Sequence, residues 1–221
     1  MGLVKIFFWG LVVSFLGTLP LGTLNVAAMQ ISVQENIRNA IYFALGCLVV
    51  EMIYVRISLV GINWVRRQKK LFRWMEWITL GIVVALASGS CAAAMGAHHA
   101  KNVILHNNIN RFLLGLMLSA ISPMQIPFWF GWSTILFTKN ILKPENSYYN
   151  IYIIGIGLGT LLGNFVFIFG GKWIMQKMNG NQTLMNWIIG GIFAATAIIF
   201  LIKILIKKDP MQKIENEEIV N

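Results

Sequence analysis

Thr18-Leu19-Pro20-Leu21-Gly22-Thr23-Leu24-Asn25 lies in the middle of residues 6–34, a run without Asp, Glu, Lys or Arg. A run of that length crosses a bilayer, which takes about 20 apolar residues. Its centre nevertheless holds a proline, a glycine and three hydrogen-bonding side chains. Proline removes a backbone donor and clashes with the preceding turn. In hydrocarbon, backbone groups freed in this way must find partners inside the protein or line a wet cavity. A second break of the same kind stands at Ser122-Pro123-Met124-Gln125-Ile126-Pro127, inside the uncharged run 112–138.

Three further uncharged runs cover residues 77–100, 146–171 and 178–202, and a sixth apolar segment, 40–62, is interrupted only by Glu51 and Arg56. The 221-residue chain is 57% hydrophobic and 12% charged, with a mean hydropathy of +0.69. A soluble domain carries about twice that charged share. The fold class predicted is an all-α polytopic membrane protein of six transmembrane helices, near residues 5–29, 40–62, 78–95, 111–132, 149–169 and 186–206. β-barrel spans would alternate in polarity instead. Residues 1–208 form one membrane domain, and 209–221 a polar cytoplasmic tail. The N-terminal apolar run has no convincing cleavage site after it and is expected to be the first retained helix.

The net charge of +10 points away from nucleic acid, because the basic residues flank the spans. One side holds Lys5, the cluster Arg66-Arg67-Gln68-Lys69-Lys70 with Arg73, Lys139, Lys143 and the lysines after residue 202. The other holds only Arg38, Lys101, Arg111, Lys172 and Lys177. The positive-inside rule then puts both termini in the cytoplasm of a multi-pass inner (plasma) membrane protein.

Pro20 and Pro123 stand about half a chain apart, and each begins a set of one broken helix and two more. Three spans per half is odd, so the halves, about 1–100 and 101–208, must be inverted. Broken helices at matching places in inverted halves mark a transporter's binding site. The candidate substrate-binding residues are Pro20, Gly22 and Asn25 at the first break, with Ser122, Pro123 and Gln125 at the second. An interrupted helix offers carbonyls to an amine and N–H groups to a carboxylate. Alternatively, each proline shapes packing alone.

Glu51 lies halfway through the second span, where charge is costly and is retained for function or for a partner. It suits a substrate ammonium or a coupling proton; otherwise it pairs with a lysine or with Arg56. Arg56 is poorly placed for that, being five residues on along the helix. Asn164, roughly the mate of Glu51 in the fifth span, follows Gly155, Gly159 and Gly163. That spacing suits close helix packing, in a homo-oligomer or within the bundle. His98, His99 and His106 fit no zinc pattern, and no nucleotide-binding or hydrolase motif appears, so neither a resident metal, another cofactor nor enzyme activity is expected.

The motifs resemble those of the LysE/RhtB amino-acid exporter family over residues 11–206. The first helix reads Pro20-Leu21-Gly22 with Asn25, where the family has Pro-Gly-Pro. The second reads Ala44-Leu45-Gly46-Cys47-Leu48-Val49-Val50-Glu51, with Glu51 in the acidic position. The fourth reads Leu118-Ser119-Ala120-Ile121-Ser122-Pro123, with Ser-Pro for Asn-Pro, and the sixth carries Gly190-Gly191. The resemblance to a divergent member implies a secondary-active exporter of an amino acid or similar small polar metabolite, driven by a proton or sodium gradient. The alternatives are a divalent-cation exporter of the same superfamily or a non-transporting membrane assembly protein. The superfamily's thiol-electron carriers place cysteines beside the breaks, which Cys47 and Cys91 are not.

Overall fold

Backbone polar groups in hydrocarbon must be paired within their own segment, which leaves helices as the solution for apolar runs of this length. The structure, a computed structural model, describes residues 2–19, 23–60, 69–95, 109–122, 125–178 and 180–205. Among them are eight helices and no strand: α1 (Gly2–Thr18), α2 (Thr23–Gln34), α3 (Ile37–Val60), α4 (Lys69–Ala94), α5 (Arg111–Ile121), α6 (Gln125–Thr138), α7 (Asn146–Lys177) and α8 (Gln182–Leu205).

Both expected breaks separate helices. The pair α1 and α2 is bent by 72° and together passes for one broken span. Helices α3, α4, α7 and α8 each contain a stretch long and apolar enough to cross a membrane. Helices α5 and α6, of 11 and 14 residues, flank the second break and are each short of that length. Four to five candidate spans thus stand among the described residues, where the sequence predicts six.

Several helix ends differ from expectation. Helix α2 runs on to Gln34, leaving only Glu35-Asn36 as the link to α3. Lys69, Lys70 and Arg73, expected in a loop, belong to α4. Lys172 and Lys177, also expected in a loop, belong to α7. This helix has 32 residues, about 48 Å at 1.5 Å per residue, and outruns the hydrocarbon core. Its polar end pairs within itself, with Lys177 5.8 Å above the Trp173 ring. Asparagines start three helices. The side-chain oxygens of Asn36, Asn110 and Asn181 accept from the N–H groups of Asn39, Phe112 and Leu184 at 2.8, 2.9 and 3.0 Å.

The helices pair as α1 with α7, α5 with α3 and α4 with α8, while α2 lies on α7 and α6 on α3. Two of these seams depend on glycine. A Cβ added at Gly10 would strike the Tyr152 carbonyl and the Ile156 nitrogen, and one at Gly155 the Phe7 carbonyl and the Leu11 nitrogen. On the other seam, a Cβ at Gly115 would strike the Phe43 carbonyl and the Cys47 nitrogen, and one at Gly46 the Phe112 carbonyl and the Leu116 nitrogen. Helices this close exclude any side chain larger than hydrogen. Gly159 and Gly163 likewise face Leu11 and Thr18 of α1. The glycine face of α7 is therefore an internal contact.

Two apolar cores result. One gathers Ile6 and Val13, Val55 and Leu59, Trp129 and Leu136, and Tyr152 and Ile156 from α1, α3, α6 and α7. The other joins α2, α4 and α8 to the first half of α3 and the last half of α7, through Met29, Phe43, Val83, Ile168 and Phe193. Helix α3 changes core between Cys47 and Val55, and α7 between Ile156 and Ile168. Glu51, Thr160 and Asn164 lie at those change-overs.

Candidate functional site: the polar layer between the cores

Of the eight sequence candidates, Pro20, Gly22 and Pro123 lie outside the described residues, as do His98, His99 and His106. The other five occupy or border the polar layer. Among the described residues no group of three His, Cys, Asp or Glu side chains is placed to hold a metal ion.

Glu51 is the charged member of the layer. Its carboxyl interacts with the Thr160 hydroxyl of α7 and the Trp129 indole N–H of α6. Thr160 in turn shares a hydrogen bond with the Ser14 hydroxyl of α1 at 2.5 Å, both side chains buried. A chain of polar groups therefore crosses four helices, Ser14–Thr160–Glu51–Trp129. An indole N–H only donates, so in that interaction the carboxyl oxygen can only be the acceptor. With Glu51 ionised, Thr160 donates its one proton to the carboxylate, and Ser14 must then donate to Thr160.

Arg56 does not neutralise this carboxylate. Its guanidinium donates to Asn146 Oδ1 at 2.8 Å and Asn150 Oδ1 at 3.4 Å, and lies 5.3 Å over the Tyr149 ring. The ion-pair alternative for Glu51 therefore loses Arg56 as its partner.

At the first break Asn25 turns back. Its side-chain N–H donates to the Thr18 carbonyl at 2.6 Å, satisfying a group that α1 leaves open at its end. The second break uses side chains from other helices. Tyr54 donates to the Ala120 carbonyl, Thr79 to the Ile121 carbonyl at 3.0 Å, and the Ser122 N–H to the Ser119 carbonyl at 3.1 Å. Gln125 Nε2 donates to Ser119 Oγ at 3.0 Å, and Ser119 donates to the Cys47 carbonyl at 3.2 Å. The Gln125 Oε1 is buried with no partner among the described residues.

The two breaks meet at a cavity. Thr23, the first residue of α2, and Ser122, the cap of α5, line it together with Thr79 and a wall of Leu24, Ile82, Val83 and Leu86. Glu51 is not among its lining residues. In place of the expected single chamber there are two separate features: a carboxylate cluster toward α1, α6 and α7, and a small, mostly apolar cavity toward α4.

Asn164 is buried on α7, one residue beyond the Gly163–Thr18 contact. Counted from the paired glycines, Glu51 stands five residues past Gly46 and Thr160 five past Gly155. Sequence reasoning passed over Thr160, Ser14 and Trp129. Their signal was present but weak, as neutral polar side chains inside apolar runs.

No curated protein and no solved structure matches the chain. The family model of the LysE type translocator matches residues 6–204, covering both breaks, both seams and Glu51. That is a family of membrane exporters of amino acids or small metabolites, and its helices agree with a multi-pass membrane protein. The chain belongs to the LysE type translocator family.

Proposed function

We propose that this protein is a secondary-active exporter, in the inner membrane, of an amino acid or similar small polar metabolite, built from two inverted three-span halves. The observation that carries the reading is the meeting of residues from both helix breaks, Thr23 and Ser122, at one cavity, in a chain that also holds an intramembrane carboxylate, Glu51. In this reading α5 and α6 are one broken span, the fourth along the chain and the counterpart of α1 and α2. The seams support the inversion. Exchanging the halves carries the α1–α7 contact onto the α5–α3 contact, with the same backbone atoms opposite the same glycines. The two-fold relation passes between Glu51 and Thr160, so the charge lies on the axis about which the halves would rock.

The cavity wall favours an uncharged substrate side chain. Hydrocarbon groups surround it, and Thr23, Thr79 and Ser122 supply hydroxyls but no charge. A divalent cation takes six or more oxygen ligands, or imidazole and thiolate, which this wall does not offer. Glu51 then serves the substrate ammonium or the coupling proton, with a proton or sodium gradient as the driving force. Both termini face the cytoplasm, in keeping with the basic residues at the ends of α1, α6 and α8.

Efflux from vesicles loaded with a mixture of labelled amino acids tests the reading. Wild type releases one or a few of them, and Glu51→Gln lowers the rate at least about tenfold, as expected when a charged hydrogen-bonding partner is lost. Equal rates would remove Glu51 from the site. Release of a divalent metal ion alone would replace this reading with the cation exporter.

A further inference from the structure

The two seams agree in backbone but not in hydroxyl partners. Ser14 stands four residues past Gly10, and Ser119 four past Gly115, so the two serines are equivalent. On the first seam Ser14 bonds Thr160, the residue five past Gly155. On the second seam the residue five past Gly46 is Glu51, yet Ser119 does not bond it. Ser119 donates instead to the Cys47 carbonyl at 3.2 Å and accepts from Gln125 at 3.0 Å. Equivalent positions are thus held in two different arrangements.

In an inverted-repeat transporter the opposite-facing state is reached when each half adopts the arrangement of the other. We infer that Ser119 is a state-specific positioning residue: in the opposite-facing state it leaves the Cys47 carbonyl and hydrogen-bonds the Glu51 carboxyl, while Ser14 releases Thr160. This rests on the inverted-repeat exporter proposed above.

The path is short. Within α3 the Cys47 carbonyl is the acceptor for the Glu51 N–H, four residues on, so the Ser119 hydroxyl already sits at the backbone of Glu51. The seam permits a slide, because Gly46 and Gly115 present bare backbone to each other. Donor accounting also permits it. Ser119 has one proton, which moves from the Cys47 carbonyl to the carboxyl, while its oxygen keeps accepting from Gln125. Glu51 keeps Thr160 throughout, because those two exchange with each other.

The test reads which side of the membrane the cavity faces. A Ser122→Cys reporter in a Cys47→Ser, Cys91→Ser background is placed in vesicles of single orientation. It is labelled by a membrane-impermeant maleimide from outside, or from a reagent trapped inside. Ser14→Ala removes the bond to Thr160 from the state described above, whereas Ser119→Ala loses the bond to the Cys47 carbonyl in this state and the stronger, charge-assisted bond to the Glu51 carboxyl in the opposite one, so its net loss falls on the opposite state. The outside-to-inside labelling ratio therefore shifts in opposite directions, roughly fivefold each for one net hydrogen bond. Ser119→Thr, which keeps the hydroxyl, restores the wild-type ratio and guards against a folding defect in the alanine variant. Shifts in the same direction, or a Ser119→Ala ratio equal to wild type, overturn the inference. Amino-acid efflux from the same vesicles is scored separately. Opposed shifts without efflux support the hand-over and remove only the exporter reading.

Discussion

The α1–α7 and α3–α5 seams use the same backbone geometry and differ in everything that is polar. Each is a reciprocal pair of glycines against carbonyls, Gly10 with Gly155 and Gly115 with Gly46. The first seam then adds Gly159 and Gly163 and a hydroxyl pair, Ser14 and Thr160. The second has Glu51 where the first has Thr160, and its serine is bonded to backbone. Packing sets the part that is alike, since two helices at this distance tolerate only hydrogen at the contact. The part that differs is polar: a carboxyl stands on one seam where a hydroxyl stands on the other, and a second carboxylate there would add a like charge.

The largest effect should come from filling a seam. Gly46→Leu and Gly155→Leu each place a side chain into a carbonyl of the neighbouring helix, with no flexible atom to give way. Overpacking costs about 1–3 kcal/mol in cores that can adjust and more where backbone must move. Both variants should fall at or beyond the upper end in thermal unfolding in detergent. If the seams are equivalent, the losses agree within about 1 kcal/mol. A tolerated Gly46→Leu beside a ruinous Gly155→Leu would break the equivalence.

The breaks were legible because proline inside an uncharged run leaves few readings; the asparagine caps at the helix starts were not singled out. The pairing of helices was not. Every span is apolar on most faces, so no stripe identifies the neighbour. The glycines of α7 fitted a homo-oligomer face as well as the internal contact with α1. Glu51 stood out by its charge, whereas Thr160 and Ser14 carry none and gain meaning only from the register of the seams. That register could not be read from two halves whose identity is faint. The extent of α7 was hidden because lysines at a membrane edge suit a helix end as well as a loop.

The breaks themselves give the next effect. The first depends on one local cap, Asn25 to the Thr18 carbonyl, and the second on two caps from other helices, Tyr54 and Thr79. Losing the partner of a buried carbonyl costs about 1–3 kcal/mol. Asn25→Ala should lower the unfolding midpoint more than Tyr54→Phe or Thr79→Val alone, because each of those leaves the second break one side-chain cap from another helix, whereas the first break keeps none among the described residues. The double variant Tyr54→Phe/Thr79→Val should then match or exceed Asn25→Ala. Equal losses for all three single variants would mean that the breaks are secured alike.

The smallest effect calibrates the others. Gly81 of α4 and Gly191 of α8 have open space where a Cβ would stand. A helical glycine with no close neighbour gives up backbone entropy and gains nothing in packing, so Gly81→Ala and Gly191→Ala should each stabilise by about 0.5–1 kcal/mol. Gly190, one residue from Gly191, faces the Cys91 sulfur and the Cys91 nitrogen of α4, so Gly190→Ala should destabilise. Opposite signs at adjacent glycines of one helix would show that the seam losses arise from contact geometry and not from replacing glycine as such. If Gly190→Ala and Gly191→Ala shifted the midpoint alike, the close approach of α4 and α8 would be the first contact to doubt, and the large penalties at Gly46 and Gly155 would need another cause.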